Sequence, residues 1–164
     1  MSSPEPVYPG PGGEIPATLR PHDHDPELVY GNGTRAHFLM TGKVSHGLFG
    51  LYRWEMSEEV TGPGPHFHRS IQESFYVLSG SIRIYEGRRW IETVAGDFVH
   101  VPEGGIHGFR NESGAPAAML IHFAPGAPRE AYFEGTAAMS RGLTMTDEEA
   151  AEFYLLHDTF WVER

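Results

Sequence analysis

Turn signals recur along this chain at a spacing too short for helices. Between Glu27 and Phe123 the sequence is cut by Gly31-Asn32-Gly33, Gly62-Pro63-Gly64-Pro65, Ser79-Gly80, Glu86-Gly87, Ala95-Gly96 and Glu103-Gly104-Gly105. The pieces between these cuts predict strands at Arg35–Thr41, Gly47–Met56, Phe75–Leu78, Ser81–Tyr85, Trp90–Val94, Asp97–Val101, Ile106–Asn111 and Ala117–Phe123. Close, regular turns with no interleaved helical pattern predict an all-β antiparallel sandwich or barrel and argue against βαβ units. The 20 glycines in 164 residues fit such a turn-rich fold better than a helical bundle.

The flanks differ from this middle. Residues 1–26 carry Pro4, Pro6, Pro9, Pro11, Pro16, Pro21 and Pro26 with glycines among them. A stretch so rich in proline enters neither a helix nor a sheet interior, and it predicts a flexible or surface-draped arm. Residues 27–125 form the barrel and residues 126–164 a C-terminal extension packed on it. In the extension, Arg129–Glu134 suggests a helical turn. Thr146-Asp147-Glu148-Glu149 is a capping box opening a helix over Asp147–Leu155, with Ala150, Phe153 and Tyr154 on one side. Phe160-Trp161-Val162 then predicts an apolar tail that closes one end of the barrel.

The formal net charge of −10 argues against nucleic acid, whose phosphates need clustered Lys and Arg, and against anionic membrane surfaces. No apolar run approaches the roughly 18 residues that span a bilayer. Met1-Ser2-Ser3-Pro4-Glu5-Pro6 lacks a charged-then-apolar leader pattern. A soluble, cytoplasmic protein that binds a small molecule is the expectation. With no cysteine, disulfides and thiolate metal sites are excluded.

One cluster of residues carries the chemistry. His66 and His68 are two apart, so on an extended strand both side chains leave the same face. Glu73 follows at the start of the next strand. His107 comes after the Pro102-Glu103-Gly104-Gly105 turn. Three imidazoles and one carboxylate suit one divalent transition metal: Fe, Ni, Mn, Co, Cu or Zn. Burying this set without a cation would be costly. The other histidines carry less. His100 and His122 sit in apolar strands and read as hydrogen-bonded residues facing core or solvent. His22 and His24 lie in the arm, His37 and His46 have no partner pattern, and His157-Asp158 reads as a surface or capping pair more than an orienting one.

These segments resemble the cupin superfamily, double-sheet jelly-roll barrels. His66-Phe67-His68, four residues, Glu73, six residues and Gly80 match the first cupin motif except for its opening glycine, where Val60 stands and Gly62 follows two places on. Gly96, Pro102, Gly104, His107 and Asn111 match every fixed position of the second. The 15 residues between Gly80 and Gly96 are the short spacing of compact cupins. The resemblance implies a single-domain cupin, a double-stranded β-helix with His66, His68, Glu73 and His107 as metal ligands.

Within the superfamily the chain looks most like the quercetin 2,3-dioxygenase-type cupins. That likeness implies a dioxygenase acting on a small hydroxy-ketone, flavonol-like or diketone-like substrate bound to the metal. Glu73 would serve as ligand or as proton acceptor. Tyr52, Phe75, Phe109 and Met119 are the candidates to line the apolar pocket above the metal. Two alternatives stay open: a redox-neutral isomerase, cyclase or lyase using the metal as Lewis acid, and a non-catalytic small-molecule-binding cupin. A homodimer is expected, because Ser81–Tyr85 and Trp90–Val94 carry large outward residues and related cupins are often dimers.

Overall fold

The computed structural model describes residue 3 and residues 5–162; Met1, Ser2, Pro4, Glu163 and Arg164 lie outside the described residues. In chain order the elements are β1 (Leu28–Val29), β2 (Arg35–Met40), β3 (Gly50–Met56), β4 (His66–Phe67), β5 (Gln72–Ser79), β6 (Ser81–Tyr85), β7 (Trp90–Val94), β8 (Phe98–Val101), β9 (Gly108–Arg110) and β10 (Ala117–Ala124). They are followed by α1 (Glu130–Ser140), α2 (Asp147–Leu156) and β11 (Phe160–Trp161).

Burial alternates residue by residue along β3 and β10. Tyr52, Trp54 and Met56 therefore meet Met119, Ile121 and Phe123 on one inner face, as period-2 side-chain geometry demands. These strands sit in a six-stranded antiparallel sheet of order β1-β2-β3-β10-β5-β8. A facing layer is built from β7-β6-β9 and from β4-β11. Its two parts are joined by the antiparallel bridge between His66 and His107, whose backbone N–H groups each donate to the other's carbonyl at 2.8 Å. The two layers wind as a double-stranded β-helix. Ile82 and Ile84 of β6 face Phe75 and Val77 of β5 across the interior, all fully buried.

The expected strands are present with shifted ends. Gly47–Met56 begins only at Gly50, because His46 and Gly47 adopt positive φ of 55° and 82° in a turn. Ile106–Asn111 shortens to β9, with single bridges at His107 and Asn111 extending it on either side. Two glycines carry close approaches. At Gly62 (φ 130°) an added Cβ would lie 1.9 Å from the carbonyl oxygen of Phe109, so the turn before β4 admits no side chain there. This accounts for the displaced motif glycine, since Val60 is exposed and unconstrained. At Gly80 (φ 72°) a Cβ would press on Pro116 and Ala117 in the tight β5–β6 hairpin.

The main correction is α1. A turn at Arg129–Glu134 is instead an 11-residue helix ending at Ser140. Gly135 and Thr136 weaken its intrinsic helicity, but Tyr132, Phe133 and Ala137 are buried on the barrel and Gly135 packs against the Phe153 ring of α2. Tertiary burial overrides propensity. Helix α2 has the expected capping box, with Glu149 N–H donating to Thr146 Oγ1 and Thr146 N–H to the Glu149 carboxylate. The apolar tail is ordered as a strand. It forms β11, pairing Phe160 with Phe67 and Trp161 with His66.

Residues 5–26 hold no helix or strand and are largely exposed. Arg20 pairs with Glu27 at 2.8 Å, and Glu27 in turn accepts the Phe38 N–H, which ties the arm's end to β2. Outward residues of β6 and β7 are partly covered by the chain itself, since Arg110 stacks over Trp90 at 4.4 Å. Among the described residues, no helix is long and apolar enough to cross a membrane.

Candidate metal centre

His66 projects inward from β4, and His68 follows just past that strand's end. Glu73 comes from β5 and His107 from the residue preceding β9. All four are buried. One ligand atom from each lies within 4.8 Å of the other three. Glu73 Oε2 is 3.2 Å from His68 Nε2 and 2.8 Å from His107 Nε2. Neighbouring ligands on an octahedral ion at about 2.1 Å stand about 3.0 Å apart, so these edges already have the dimensions of a coordination shell.

The protonation pattern makes the same point. Each imidazole donates its Nδ1–H to a backbone carbonyl: His66 to Gly64 at 2.9 Å, His68 to Asp158 at 2.6 Å and His107 to Gly105 at 2.9 Å. A carbonyl only accepts, so the proton sits on Nδ1 in all three rings and Nε2 is the nitrogen left for the centre. Nε2 of His68 and of His107 lies against the Glu73 carboxylate, with His66 beside them, an arrangement that suits a cation among them. The residues fit a divalent metal ion.

Without such an ion the groups share protons. Burial would raise Glu73, but facing His107 and His68 hold it well below the usual carboxylate range. Burial would lower His107, yet Glu73 outweighs it and raises it. Burial, helped by charge on His107, pushes His66 down to about 3, so this ring offers a neutral nitrogen.

Beside the cluster lies a cavity of about 270 Å³, lined by His66 and Glu73 and walled by Trp54, Phe109, Ile121, Phe123, Tyr132, Phe133 and Trp161. Of the expected pocket residues, Phe109 lines it. Tyr52, Phe75 and Met119 do not; each is fully buried in the core. Phase explains the miss. These residues face inward as expected, but Tyr52 lies under α1, donating to Glu130, and Phe75 packs against His107 and Phe109. Position along the barrel, and what α1 covers, distinguishes core from cavity wall, and strand alternation does not fix either.

Much of the cavity comes from the C-terminal extension, which motif reasoning passed over. Arg129, Tyr132, Phe133, Tyr154 and Trp161 all line it, and the Trp161 ring lies 5.2 Å from that of His66. Asp158 serves the cluster through its main chain, as the acceptor for His68. Its carboxylate also takes the N–H groups of Arg69 and Ser70 and the Ser70 hydroxyl. The capping reading of His157-Asp158 holds, with His157 the C-cap of α2, and Asp158 adds an orienting role through its carbonyl. The signal available was a polar pair interrupting an apolar tail. His100 is exposed on the outer sheet face beside Ser74, and His122 stacks on Phe49, both away from the cluster. His37 is buried against Glu55 at 3.3 Å, a partner two strands' pairing supplies and spacing does not reveal.

Residues 52–137, just over half of the chain, match the cupin domain family. The chain belongs to the cupin family. This cupin is 30% identical over 95 residues to quercetin 2,3-dioxygenase of Bacillus subtilis (strain 168), a match spanning 52% of this chain and 27% of that protein. It therefore covers about a quarter of that relative's length. Among solved structures, KdgF from Halomonas sp. superposes with a TM-score of 0.60 at 15% identity, covering 71% of this cupin and 99% of KdgF. The polyketide cyclase RemF from Streptomyces resistomycificus gives a TM-score of 0.56 at 26% identity, covering 68% and 81%. KdgF shares the fold; RemF adds sequence likeness over most of its length.

Proposed function

We propose that this cupin is a metal-dependent enzyme in which His66, His68, Glu73 and His107 hold one divalent transition metal: Fe, Ni, Mn, Co, Cu or Zn. The observation that carries the reading is the shared orientation of the three imidazoles, each held at Nδ1 by a main-chain carbonyl, with Nε2 of His68 and His107 turned to Glu73. The leading activity is dioxygenation of a small hydroxy-ketone, flavonol-like or diketone-like substrate, supported by the likeness to quercetin 2,3-dioxygenase. A bound ion would supply Lewis acidity and, where redox-active, electron transfer between substrate and dioxygen.

The chain's own part is positional. The aromatic walls exclude water from the cavity and hold an apolar substrate body against the His66 side of the cluster. Glu73 is part of the cavity wall, and its Oε2 is the oxygen turned to His68 and His107, which leaves Oε1 to take a proton from a substrate hydroxyl or activated C–H. The homodimer expected from sequence belongs to the same proposal, and sedimentation of purified protein checks it.

Elemental analysis of tag-free protein, followed by oxygen uptake with flavonols and 1,3-diketones, tests the reading. Near-stoichiometric metal with substrate-dependent oxygen consumption, absent in Glu73→Gln, is the expected result. Flavonol or diketone binding without oxygen consumption above the protein-free rate would refute the dioxygenase. A redox-neutral cyclase or isomerase is the second reading, favoured by the likeness to RemF over 81% of that chain. Turnover by the zinc form under strict anaerobiosis separates it from the first.

A further inference from the structure

Arg129 stands at the N-cap of α1, and only 3% of it is exposed. Its Nη1 donates to the His157 carbonyl and reaches Thr159 Oγ1 at 3.5 Å, both neutral acceptors. The guanidinium lies 4.1 Å from the Tyr132 ring centre and 5.2 Å from that of Phe123. Among the described residues no carboxylate forms an ion pair with it, and its Nε has no hydrogen-bond partner. Aromatic faces and neutral carbonyls recover only part of the hydration that a buried cation gives up. A water molecule would satisfy the N–H but leave the charge.

Arg129 shares the wall of the cavity with His66 and Glu73, so an anion held in the cavity would lie beside its guanidinium. A second buried, unpartnered atom, Thr34 Oγ1, belongs to a residue lining the same space. Arg129, Thr34 and the cluster residues His66 and Glu73 thus line one cavity of about 270 Å³.

We propose that the substrate is a small organic acid whose carboxylate pairs with Arg129 while another oxygen of the same molecule addresses the His66–Glu73 side of the cavity. This rests on the metal-dependent reading above and narrows its substrate class from neutral hydroxy-ketones to oxygenated acids. A guanidinium presents two parallel N–H donors to a carboxylate, a geometry that an amide or ester does not reproduce. The cavity lies just below the roughly 300 Å³ at which small-molecule pockets begin, so the acid has one ring or a short chain. Thr34 contacts a further polar group on it.

Titration calorimetry with 3-hydroxybenzoate, 4-hydroxybenzoate and 2-oxobutanoate, each against its own amide, tests this on both metal-loaded and chelator-stripped protein. At least one acid is expected to bind at least about tenfold tighter than its amide in both forms. Arg129→Gln is expected to abolish the difference, in the stripped protein as in the loaded one, while amide binding persists. Should that variant not fold, Arg129→Lys decides: a point charge is expected to weaken the acid about fivefold or more and leave the amide alone. Equal binding of acids and amides, no binding of any acid, or an acid preference that survives in the folded Arg129→Gln protein overturns the proposal. Failure of the metal reading looks different: no stoichiometric metal, with the acid preference of the stripped protein intact.

Discussion

The stretch from Pro65 to Asn111 and the stretch from Ala127 to Val162 build one site by opposite means. The first supplies all four candidate ligands from strands and the turns that flank them. The second supplies Arg129, the aromatic wall formed by Tyr132, Phe133, Tyr154 and Trp161, and the carbonyl that orients His68, from helices and a tail with no repeating pattern. Ligand chemistry is set by short-range geometry. Whatever meets the ligands is shaped by packing between segments far apart in sequence.

The sharpest way to break this division is in the barrel core. Phe75→Ala removes a fully buried ring beside His107 and Phe109 and is expected to cost about 3–5 kcal/mol in denaturant unfolding. A loss below about 1 kcal/mol would mean that the extension carries the stability. Next, Glu73→Gln keeps shape and volume but removes the ligand charge. Metal affinity by chelator competition is expected to fall more than about 100-fold, beyond the ~10–100-fold loss typical when an orienting partner is removed.

Asp158→Gly probes the extension. Asp158 has φ 52°, which glycine adopts freely, so the change isolates the loss of the carboxylate that clamps Arg69 and Ser70. A stability loss of about 1–3 kcal/mol is expected at neutral pH, with metal affinity down about tenfold through the loosened His68. Burial raises Asp158, but bonds from Ser70 and Arg69 prevail and hold it below its ordinary value. Its contribution is therefore present above the unfolded pKa near ~3.9 and disappears as pH falls through the lower folded one. Wild type and variant should converge in stability on acidification, and a difference that persists at low pH would exclude the clamp. Smallest of all, Thr146→Ala breaks the capping box and is expected to lower stability by about 1 kcal/mol without touching metal affinity.

The sequence was legible where one residue dictates its neighbours' geometry. His66 and His68 share a face by strand alternation alone, and Gly80 and Gly96 sit at positive φ in turns that need them. Helix α2 announces itself through Thr146 and Glu149 because a capping box is complete within four residues. Arg129 had no such signal: whether a lone arginine after Pro128 is solvated or buried depends on how α1 lies against Phe123, a contact made by folding. Tyr52, Phe75 and Met119 were recognisable as inward residues. Telling core from cavity wall required knowing where α1 covers the barrel and where it leaves space.

The hydrogen bond from His68 to the Asp158 carbonyl spans 90 residues of chain. At about 5–20 residues per second, a ribosome needs roughly 5–18 s to make that interval. His66 and His107 find their carbonyl partners two residues away, so they are aimed as soon as their own turns form. During synthesis the emerging chain therefore has two set imidazoles and one swinging freely. Tight capture of an ion by this cluster would wait for the last strand to lie down, late in the life of the nascent protein.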